Sequence, residues 1–273
     1  MSTVAMSEKE AFRKKLKDFY STSEPYLRLL DSEEPAYFER YLNLIERYAA
    51  HCNTVLDLGC GTGLSSYLLS QKKEKAVGLD LSPLFLKKGS ERYRAKNLLL
   101  TAGDILGLPF RDETFDLVSS YLVIEILPDI EKGLSEMARV VKKGGVLMVI
   151  AANLLSPIWP FRDFIRMLFG GPPRPVWCET PQDALKTFWR NLSISVSKWF
   201  EREPHWIRRE PDLSCEKVVG RDSEAVYLVS PLDVARFLKR RGFRILRIGS
   251  QWIWLTKIIP SFSVCMMVVA EKR

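Results

Sequence analysis

The chain has 273 residues, of which 47% are hydrophobic, so it can bury a sizeable core and disorder is excluded as the default. Its net charge of +8 suggests a nucleic acid or an anionic membrane as a partner, but the densest basic segment, residues 236–247, lies where we expect a surface helix and a strand. No stretch is typical of a transmembrane helix or a secretory signal, and the five cysteines lack metal-binding spacing. We therefore expect a cytoplasmic protein without a bound metal.

The first 50 residues are predicted to form a helical lead-in. Apolar side chains recur at helical spacing in two rows, one from Phe12 to Phe19 and one from Tyr37 to Tyr48. A Ser-Glu-Pro sequence at residues 23–25 separates the two rows and indicates a break between helices.

From residue 53 onward, short β-rich apolar runs alternate with helical segments. Such alternation is typical of a parallel sheet with helices on both faces. The rhythm breaks near residue 153 and resumes near residue 227, so we predict one α/β domain over 51–152 and 227–273 with an insertion at 153–226. The predicted strands cover residues 53–57, 75–79, 97–102, 115–120, 145–151, 243–249 and 263–271, and the predicted helices cover residues 63–71, 83–95, 129–141 and 231–241.

The insertion at residues 153–226 is rich in aromatic side chains. It follows the strand predicted at 145–151, and ligands of parallel sheets bind at the carboxyl ends of the strands. We therefore predict that the insertion is a helical cap and that, together with the loop at 251–259, it covers a substrate pocket. The tryptophans on which this prediction rests are Trp159, Trp177, Trp199, Trp252 and Trp254.

The strongest chemical signal is the run Val55-Leu-Asp-Leu-Gly-Cys-Gly-Thr-Gly63, in which an apolar strand leads into closely spaced glycines and then into a helical pattern. Glycines suit a loop where the chain turns tightly and a ligand approaches the backbone. A dinucleotide-binding GxGxxG pattern needs its third glycine at the position of Leu64, so the loop fits an NAD site poorly.

Two carboxylates follow the next two predicted strands. Asp80 ends the second strand, where a carboxylate can accept hydrogen bonds from both hydroxyls of a ribose. Asp104 follows the third strand, and with Ile105 beside it the pair suits the exocyclic amine and the ring face of an adenine. The glycine loop and the two carboxylates together predict a cofactor that contains a nucleoside.

These motifs resemble those of the class I S-adenosylmethionine (SAM)-dependent methyltransferases, especially the ubiquinone- and menaquinone-biosynthesis branch. The resemblance covers roughly residues 45–152 and 227–271 and leaves the aromatic segment unmatched, and the runs at 115–125, 136–145 and 230–243 support it. It implies an α/β, Rossmann-like sheet of seven mostly parallel strands with helices on both faces and an antiparallel last strand. The aromatic cap inserted after strand 5 is predicted from the sequence pattern alone. The resemblance also implies SAM as the cofactor and a small-molecule acceptor, which the tryptophans suggest is apolar or lipid-linked, with a membrane surface as a candidate partner.

The resemblance further implies roles for single residues. The implied cofactor contacts are Asp57, Gly59, Gly61 and Gly63 for the methionine part, Asp80 for the ribose with Leu81 next to it, Asp104 and Ile105 for the adenine, and the backbone at Ser120 and Tyr121 for the methionine amino group. The family often has a histidine where this chain has Ile126, so no catalytic base can be transferred from it. His205 and Tyr121 are the remaining candidates for substrate contact, and Glu125 is expected to be a helix-start or solvated carboxylate.

Two other functions stay open from the sequence. A nucleic-acid methyltransferase is disfavoured because Ser119-Ser-Tyr-Leu122 stands where a base-flipping Asn/Asp-Pro-Pro-Tyr motif would follow the fourth strand. A non-enzymatic SAM-binding module would carry the same cofactor loop. The sequence does not choose among O-, N- and C-methylation, because methyl transfer from a sulfonium depends on orientation more than on side-chain chemistry.

Overall fold

The computed structural model describes residues 3–172, 178–214, 223–249, 260–262 and 265–273. The strands are β1 (Thr54–Leu58), β2 (Lys75–Asp80), β3 (Leu98–Ala102), β4 (Phe115–Tyr121), β5 (Val141–Ala152), β6 (Ile207–Arg208), β7 (Tyr227–Leu228), β8 (Phe243–Ile248) and β9 (Cys265–Lys272). The helices are α1 (Thr3–Thr22), α2 (Glu24–Asp31), α3 (Pro35–Ala49), α4 (Leu64–Ser70), α5 (Pro83–Arg92), α6 (Ile130–Val140), α7 (Ile158–Leu168), α8 (Pro181–Phe200) and α9 (Pro231–Arg240).

Seven of these strands form one sheet in the order β3-β2-β1-β4-β5-β9-β8. From β3 to β5 in this order, adjacent strands are parallel to one another, whereas β9 is antiparallel to both β5 and β8. The predicted seven-stranded, mostly parallel sheet with an antiparallel last strand is confirmed. Because the chain proceeds from β1 out to β3 and then returns to the other side of β1, the topological switch point lies between β1 and β4. Ligands of such sheets bind beside this point.

Helices cover both faces of the sheet, as predicted. Successive side chains of a strand point to opposite faces, so Leu56 of β1 packs in a cluster with Leu134 of α6, while Val55 packs in a second cluster with Ile45 of α3 and Leu69 of α4. All five side chains are buried. The two clusters hold β1 at the centre of the sheet and fix the position of the loop that follows it.

The sequence predicts where the helices start because the capping residues lie directly before them in the chain. Ser82 and Ser230 precede α5 and α9, their hydroxyls accept a backbone N–H of the first turn, and a proline follows each of them. The start of β5 differs from the prediction. This strand begins at Val141 rather than at 145, and its pairing with β4 shifts register around Gly144, which has a φ of 74°.

The insertion is helical over α7 and α8, which pack against each other. Side chains of α8 reach the chain that follows β5: Asn191 Nδ2 donates to the carbonyl of Leu154 at 3.1 Å, and Ser195 Oγ donates to the carbonyl of Leu155 at 3.1 Å. Near the end of α8, the buried ammonium of Lys198 lies 2.9 Å from the carboxylate of Asp233 in α9. The helix pair is therefore attached at the carboxyl end of β5. Within the described ranges, no helix is both long and apolar enough to cross a membrane.

Candidate functional site

A cavity of about 340 Å³ lies at the carboxyl ends of β1 to β4. Sites for small molecules are typically clefts of roughly 300–1,000 Å³, so its size is that of a ligand site. The loops after the four strands form one wall, and side chains of α1, α2 and α3 form the opposite wall. The cavity therefore occupies the sheet edge and the switch point at which a ligand is expected.

The glycine loop after β1 contributes backbone to the cavity. Gly59 has a φ of 72° and donates its N–H to the carbonyl of Leu79 at 2.8 Å, and a Cβ built on it would lie 2.2 Å from Cγ2 of Val123. A side chain is therefore excluded by conformation and by space. Gly59 and Gly61 line the cavity, whereas Gly63 is the N-cap of α4 and stays outside the lining.

Asp80, at the end of β2, presents a buried carboxylate to the cavity. Gly61 N donates to Oδ2 and Ser82 N donates to Oδ1, each at 2.8 Å. A carboxylate has about four acceptor positions, so each oxygen can still accept a hydroxyl. Burial raises the pKa of Asp80 to about 6, although the two backbone hydrogen bonds oppose this rise. The side chain ties the glycine loop to the start of α5 and retains capacity to bind a ligand.

Asp57 lines the cavity beneath the loop and is held by hydroxyl groups. Ser65 Oγ and Ser66 Oγ donate to Oδ2 at 2.6 and 2.7 Å, and the Tyr41 hydroxyl lies 3.2 Å from Oδ1. Burial raises the pKa of Asp57, and these hydrogen bonds counteract the rise. The carboxylate therefore fixes the first turn of α4 relative to β1, which keeps the glycine loop in place.

Asp104 lies at the end of β3 and connects this wall to the N-terminal helices. Its Oδ1 accepts from Leu106 N at 2.8 Å, and its Oδ2 lies 2.5 Å from Nε of Arg13 in α1. Ile105 is buried next to it and lines the cavity. The ion pair between Arg13 and Asp104 connects α1 to the loop that follows β3.

The carboxyl end of β4 has an unusual backbone. Leu122 has a φ of 58°, a conformation that costs a branched residue free energy, and its N–H donates to the carbonyl of Ile150 at 2.8 Å. Tyr121 lines the cavity, and burial raises the pKa of its hydroxyl, which suits a hydrogen-bond donor rather than a base. Ser120 is fully buried within β4 and lies outside the lining.

The wall formed by the N-terminal helices combines rings and carboxylates. The ring of Tyr26 lies 5.2 Å from that of Tyr20 and is stacked on that of Phe85 at 6.1 Å, and its hydroxyl lies 3.2 Å from Oε1 of Glu224. Burial raises the pKa of Glu33, at the end of α2, to about 7. The wall is apolar in its rings and acidic at its edges.

Acidic residues outnumber basic ones in the described lining. Arg13 is its one basic residue, and its acidic residues are Glu33, Asp57, Asp80, Asp104, Glu125 and Glu224. Such a lining favours cations and hydrogen-bond donors over phosphates. SAM carries a sulfonium and an ammonium group, so its charge suits this cavity.

The structure brings most of the predicted cofactor-binding residues to this cavity. Those in the lining are Asp57, Gly59, Gly61, Asp80, Leu81, Asp104, Ile105 and Tyr121. The sequence reasoning missed Ser65, the segment that follows β4, and the whole wall from α1 to α3. Glu125 lies in the first turn of a short 3-10 helix, Ile124–Ile126, which agrees with a helix-start carboxylate. It is not solvated: it is 2% exposed, lines the cavity, and accepts at Oε1 from Ala152 N at 3.2 Å.

Other candidates lie away from the cavity. The imidazole of His205 is 69% exposed and outside the lining, with Nδ1 3.9 Å from a carboxylate oxygen of Glu201. Trp159 and Trp199 do not line the cavity either, and the indole N–H of Trp199 donates to Ser261 Oγ at 3.3 Å. Trp177, Trp252 and Trp254, like the loop at 251–259, fall outside the described residues. The described part of the insertion contributes Glu224 and Ala225 instead.

Comparison with known proteins shows similarity to methyltransferases. Residues 56–149 match the family model described as "Methyltransferase domain". A demethylmenaquinone methyltransferase of Thermobifida fusca is 37% identical over 120 residues, which is 43% of this chain and 49% of the relative. A phosphatidylethanolamine N-methyltransferase of Cereibacter sphaeroides is 38% identical over 112 residues, which is 38% of this chain and 55% of the relative. The chain thus spans about half the length of these curated relatives.

Solved structures resemble the chain over nearly its whole length. Magnesium protoporphyrin IX methyltransferase from Synechocystis, solved with bound S-adenosylhomocysteine, has a TM-score of 0.57 at 13% identity and covers 96% of this chain and all of its own. An N-methyltransferase from Bradyrhizobium japonicum has a TM-score of 0.53 at 15% identity, covering 93% of this chain and 98% of its own. At such identities the likeness shows the fold. The chain therefore has a Rossmann-like fold like that of these methyltransferases, and its residues 56–149 match the methyltransferase domain model.

Proposed function

We propose that the protein is an enzyme that transfers the methyl group of SAM to a small-molecule acceptor. The observation that carries the proposal is the two-sided cavity. One wall holds the glycine loop, Asp80 and Asp104, and the other holds rings and carboxylates of the N-terminal helices and of the segment after β4. The cavity therefore offers an acceptor a place opposite the predicted cofactor contacts.

The residues present suit SAM. Asp80 is assigned to the ribose hydroxyls, because both its oxygens keep acceptor capacity. Asp104 with Ile105 is assigned to the adenine, and the loop from Gly59 to Gly61 and the backbone at Tyr121 to the methionine part. When bound, SAM supplies an electrophilic methyl group on a positively charged sulfur. The acidic lining stabilises that charge in the ground state.

The chain's own contribution to the reaction is orientation, exclusion of water and proton removal. The rings of Tyr20, Tyr26 and Phe85 keep the acceptor side partly dry, and an aligned acceptor needs little further activation. Glu125 and Glu224 are buried carboxylates of the lining that can accept the proton that an O–H or N–H acceptor must lose.

An apolar or lipid-linked acceptor is supported by the rings of this wall and by the names of relatives. Demethylmenaquinone and phosphatidylethanolamine, named for two relatives, are lipids, and a third relative, from Serratia marcescens, is a malonyl-[acyl-carrier protein] O-methyltransferase. A nucleic-acid acceptor is disfavoured because the described lining has a single basic residue, Arg13, and so offers few cationic partners to a phosphate backbone.

The test is incubation of the protein with methyl-labelled SAM and fractions of a cell extract. We expect S-adenosylhomocysteine to form with a lipid or small-metabolite fraction, and mass spectrometry of the labelled product would identify the acceptor and the methylated atom. Saturable SAM binding without turnover in any fraction would favour a non-enzymatic module instead. Label in RNA or DNA would favour the nucleic-acid alternative, and a polar labelled metabolite would contradict the lipid assignment.

The raised pKa of Asp80, about 6, predicts how SAM affinity depends on pH. Only the ionised carboxylate can accept from both ribose hydroxyls, and the raised pKa means that protonation begins near pH 6 as the pH falls. We expect the Kd for SAM to be constant between about pH 7 and 8 and to rise towards about tenfold per pH unit well below pH 6. Calorimetric titrations across this range measure the effect. The Asp80→Asn variant should lose this component, and a wild-type Kd that stays constant down to pH 5 would contradict the assignment.

A further inference from the structure

Helices α7 and α8 carry most of the large apolar side chains that the described part of the chain exposes to solvent. Phe169, at the end of α7, is 86% exposed, and Phe200, at the end of α8, is 82% exposed. We call the full set the α7–α8 face: Phe161, Ile165, Leu168, Phe169, Leu185, Trp189, Val196, Trp199 and Phe200. Of the other exposed large apolar residues described, Leu29, Tyr37 and Leu122 line the cavity, so only Leu99 lies outside both surfaces.

These side chains form one continuous surface. On α8, Leu185, Trp189, Val196 and Phe200 follow one another at spacings of four and seven residues, which places them on one side of the helix. On α7, the spacing of Phe161, Ile165 and Leu168 has the same effect. The two stripes meet through rings, because Phe188 lies 5.5 Å from Phe161 and 5.1 Å from Trp189.

The opposite sides of the two helices already pack on the protein. Asp163 of α7 and Ala184 of α8 are buried, and Asn191 and Ser195 bond to backbone carbonyls after β5. The exposed face is therefore not the side by which the helices join the fold. Monomeric soluble proteins rarely expose a contiguous apolar surface of this kind, so it marks an interaction site.

Basic side chains border the face. Arg162, Lys186 and Arg190 are exposed, and each follows directly after a member of the face, so each lies next to it on its own helix. The acidic residues within the two helices are engaged locally, Asp163 with Arg166 at 3.2 Å and Asp183 with Thr180 at 2.7 Å. Apolar rings bordered by Lys and Arg are the composition of helices that lie in the interface of an anionic bilayer.

We propose that the α7–α8 face docks the protein on the surface of a bilayer that contains anionic lipids. The rings of the face enter the headgroup region, and the three basic side chains contact lipid phosphates. Because α8 bonds to the chain just after β5, the docked surface lies at the same edge of the sheet as the cavity. The proposed docking needs only this face and does not depend on which acceptor the enzyme uses.

The test is co-sedimentation of the full chain with vesicles of phosphatidylcholine mixed with phosphatidylglycerol, and with vesicles of phosphatidylcholine alone. We expect binding to the anionic vesicles that weakens as salt is added. The double variant Phe169→Ser, Phe200→Ser should bind them at least about tenfold more weakly. Because both rings are almost fully exposed, its thermal midpoint and SAM affinity should match those of the wild type.

The matched control is Leu99→Ser, since Leu99 is 52% exposed on β3, outside the face, and its replacement should leave vesicle binding unchanged. Wild-type protein that fails to bind anionic vesicles would overturn the proposal, and so would equal binding by the double variant. A dimer that the double variant dissociates, seen by light scattering, would assign the face to a second copy of the chain instead. None of these outcomes depends on turnover, so they are separable from a failure of the proposed methyltransferase activity.

Discussion

Replacing Asp80 with alanine is expected to weaken SAM binding at least about 100-fold while the protein stays folded. A hydrogen bond to a charged group contributes roughly 1.5–3 kcal/mol, and the carboxylate is assigned two ribose hydroxyls. The carboxylate also accepts hydrogen bonds from Gly61 N and Ser82 N, so the glycine loop loses one of its hydrogen bonds in the variant. The fold should survive because burial disfavours the ionised carboxylate of Asp80, and the variant removes this buried charge. Isothermal titration calorimetry with SAM, together with circular dichroism, measures both effects.

Asp116→Asn is the matched control, because Asp116 is a carboxylate near the amino end of β4, away from the cavity. Its oxygens accept from the backbone and hydroxyl of Thr54 at 2.8 Å and from Lys142 at 2.7 Å. Burial opposes ionisation here, but these partners outweigh it and lower the pKa of Asp116 to about 2. We expect this variant to melt at a lower temperature with unchanged SAM affinity. Wild-type affinity in folded Asp80→Ala would refute the ribose assignment.

Replacing Gly89 with alanine is expected to destabilise the protein, although the same change in most helices is favourable. Alanine is preferred over glycine inside a helix by roughly 1 kcal/mol. A Cβ at Gly89 in α5 would lie 1.6 Å from the backbone oxygen of Thr62, which belongs to the glycine loop. Backbone must move to relieve this contact, so we expect a loss of more than about 2 kcal/mol in the free energy of unfolding, with weaker SAM binding. Urea denaturation and calorimetry measure the two quantities.

Gly133→Ala in α6 is the comparison for this effect. Its Cβ would lie 2.4 Å from Cδ1 of Leu127, the far end of a flexible side chain that can turn away. We expect the free energy of unfolding of this variant to stay within about 1 kcal/mol of the wild type. If Gly89→Ala proved as stable as Gly133→Ala, the close approach of α5 to the glycine loop would be disproved.

Local sequence signals predicted the sheet and the cofactor half of the cavity. The alternation of strands and helices, the prolines and serines at helix starts, and the glycines after β1 each depend on residues close together in the chain. Asp80 and Asp104 could be placed because the ends of parallel strands meet at one sheet edge. The backbone at Ser120 was assigned to the methionine amino group by resemblance, and it stays a prediction because the burial of the Ser120 side chain does not test a backbone contact.

The other half of the cavity depends on contacts between distant parts of the chain, which no local pattern encodes. Tyr26 meets Glu224 across almost 200 residues, and Arg13 reaches Asp104 from a segment that carries no motif. The aromatic rows of the first 50 residues indicated helices, but not what those helices cover. Tryptophan content drew the acceptor prediction towards the insertion, yet Trp159 and Trp199 lie outside the cavity lining.

The wall that α1, α2 and α3 form on one side of the cavity belongs to a different part of the sequence from the predicted cofactor contacts. The residues predicted to contact the cofactor lie within the stretch that matches the methyltransferase model, 56–149, whereas the first 50 residues lie wholly outside it. Tyr41 and Arg13 contact Asp57 and Asp104, so substitutions at these two positions would also disturb the cofactor half. Substitutions at other cavity-facing positions of these helices can reshape the acceptor side alone. Under the proposed function, changes in the first 50 residues would therefore alter which acceptor is methylated while the predicted donor site is kept.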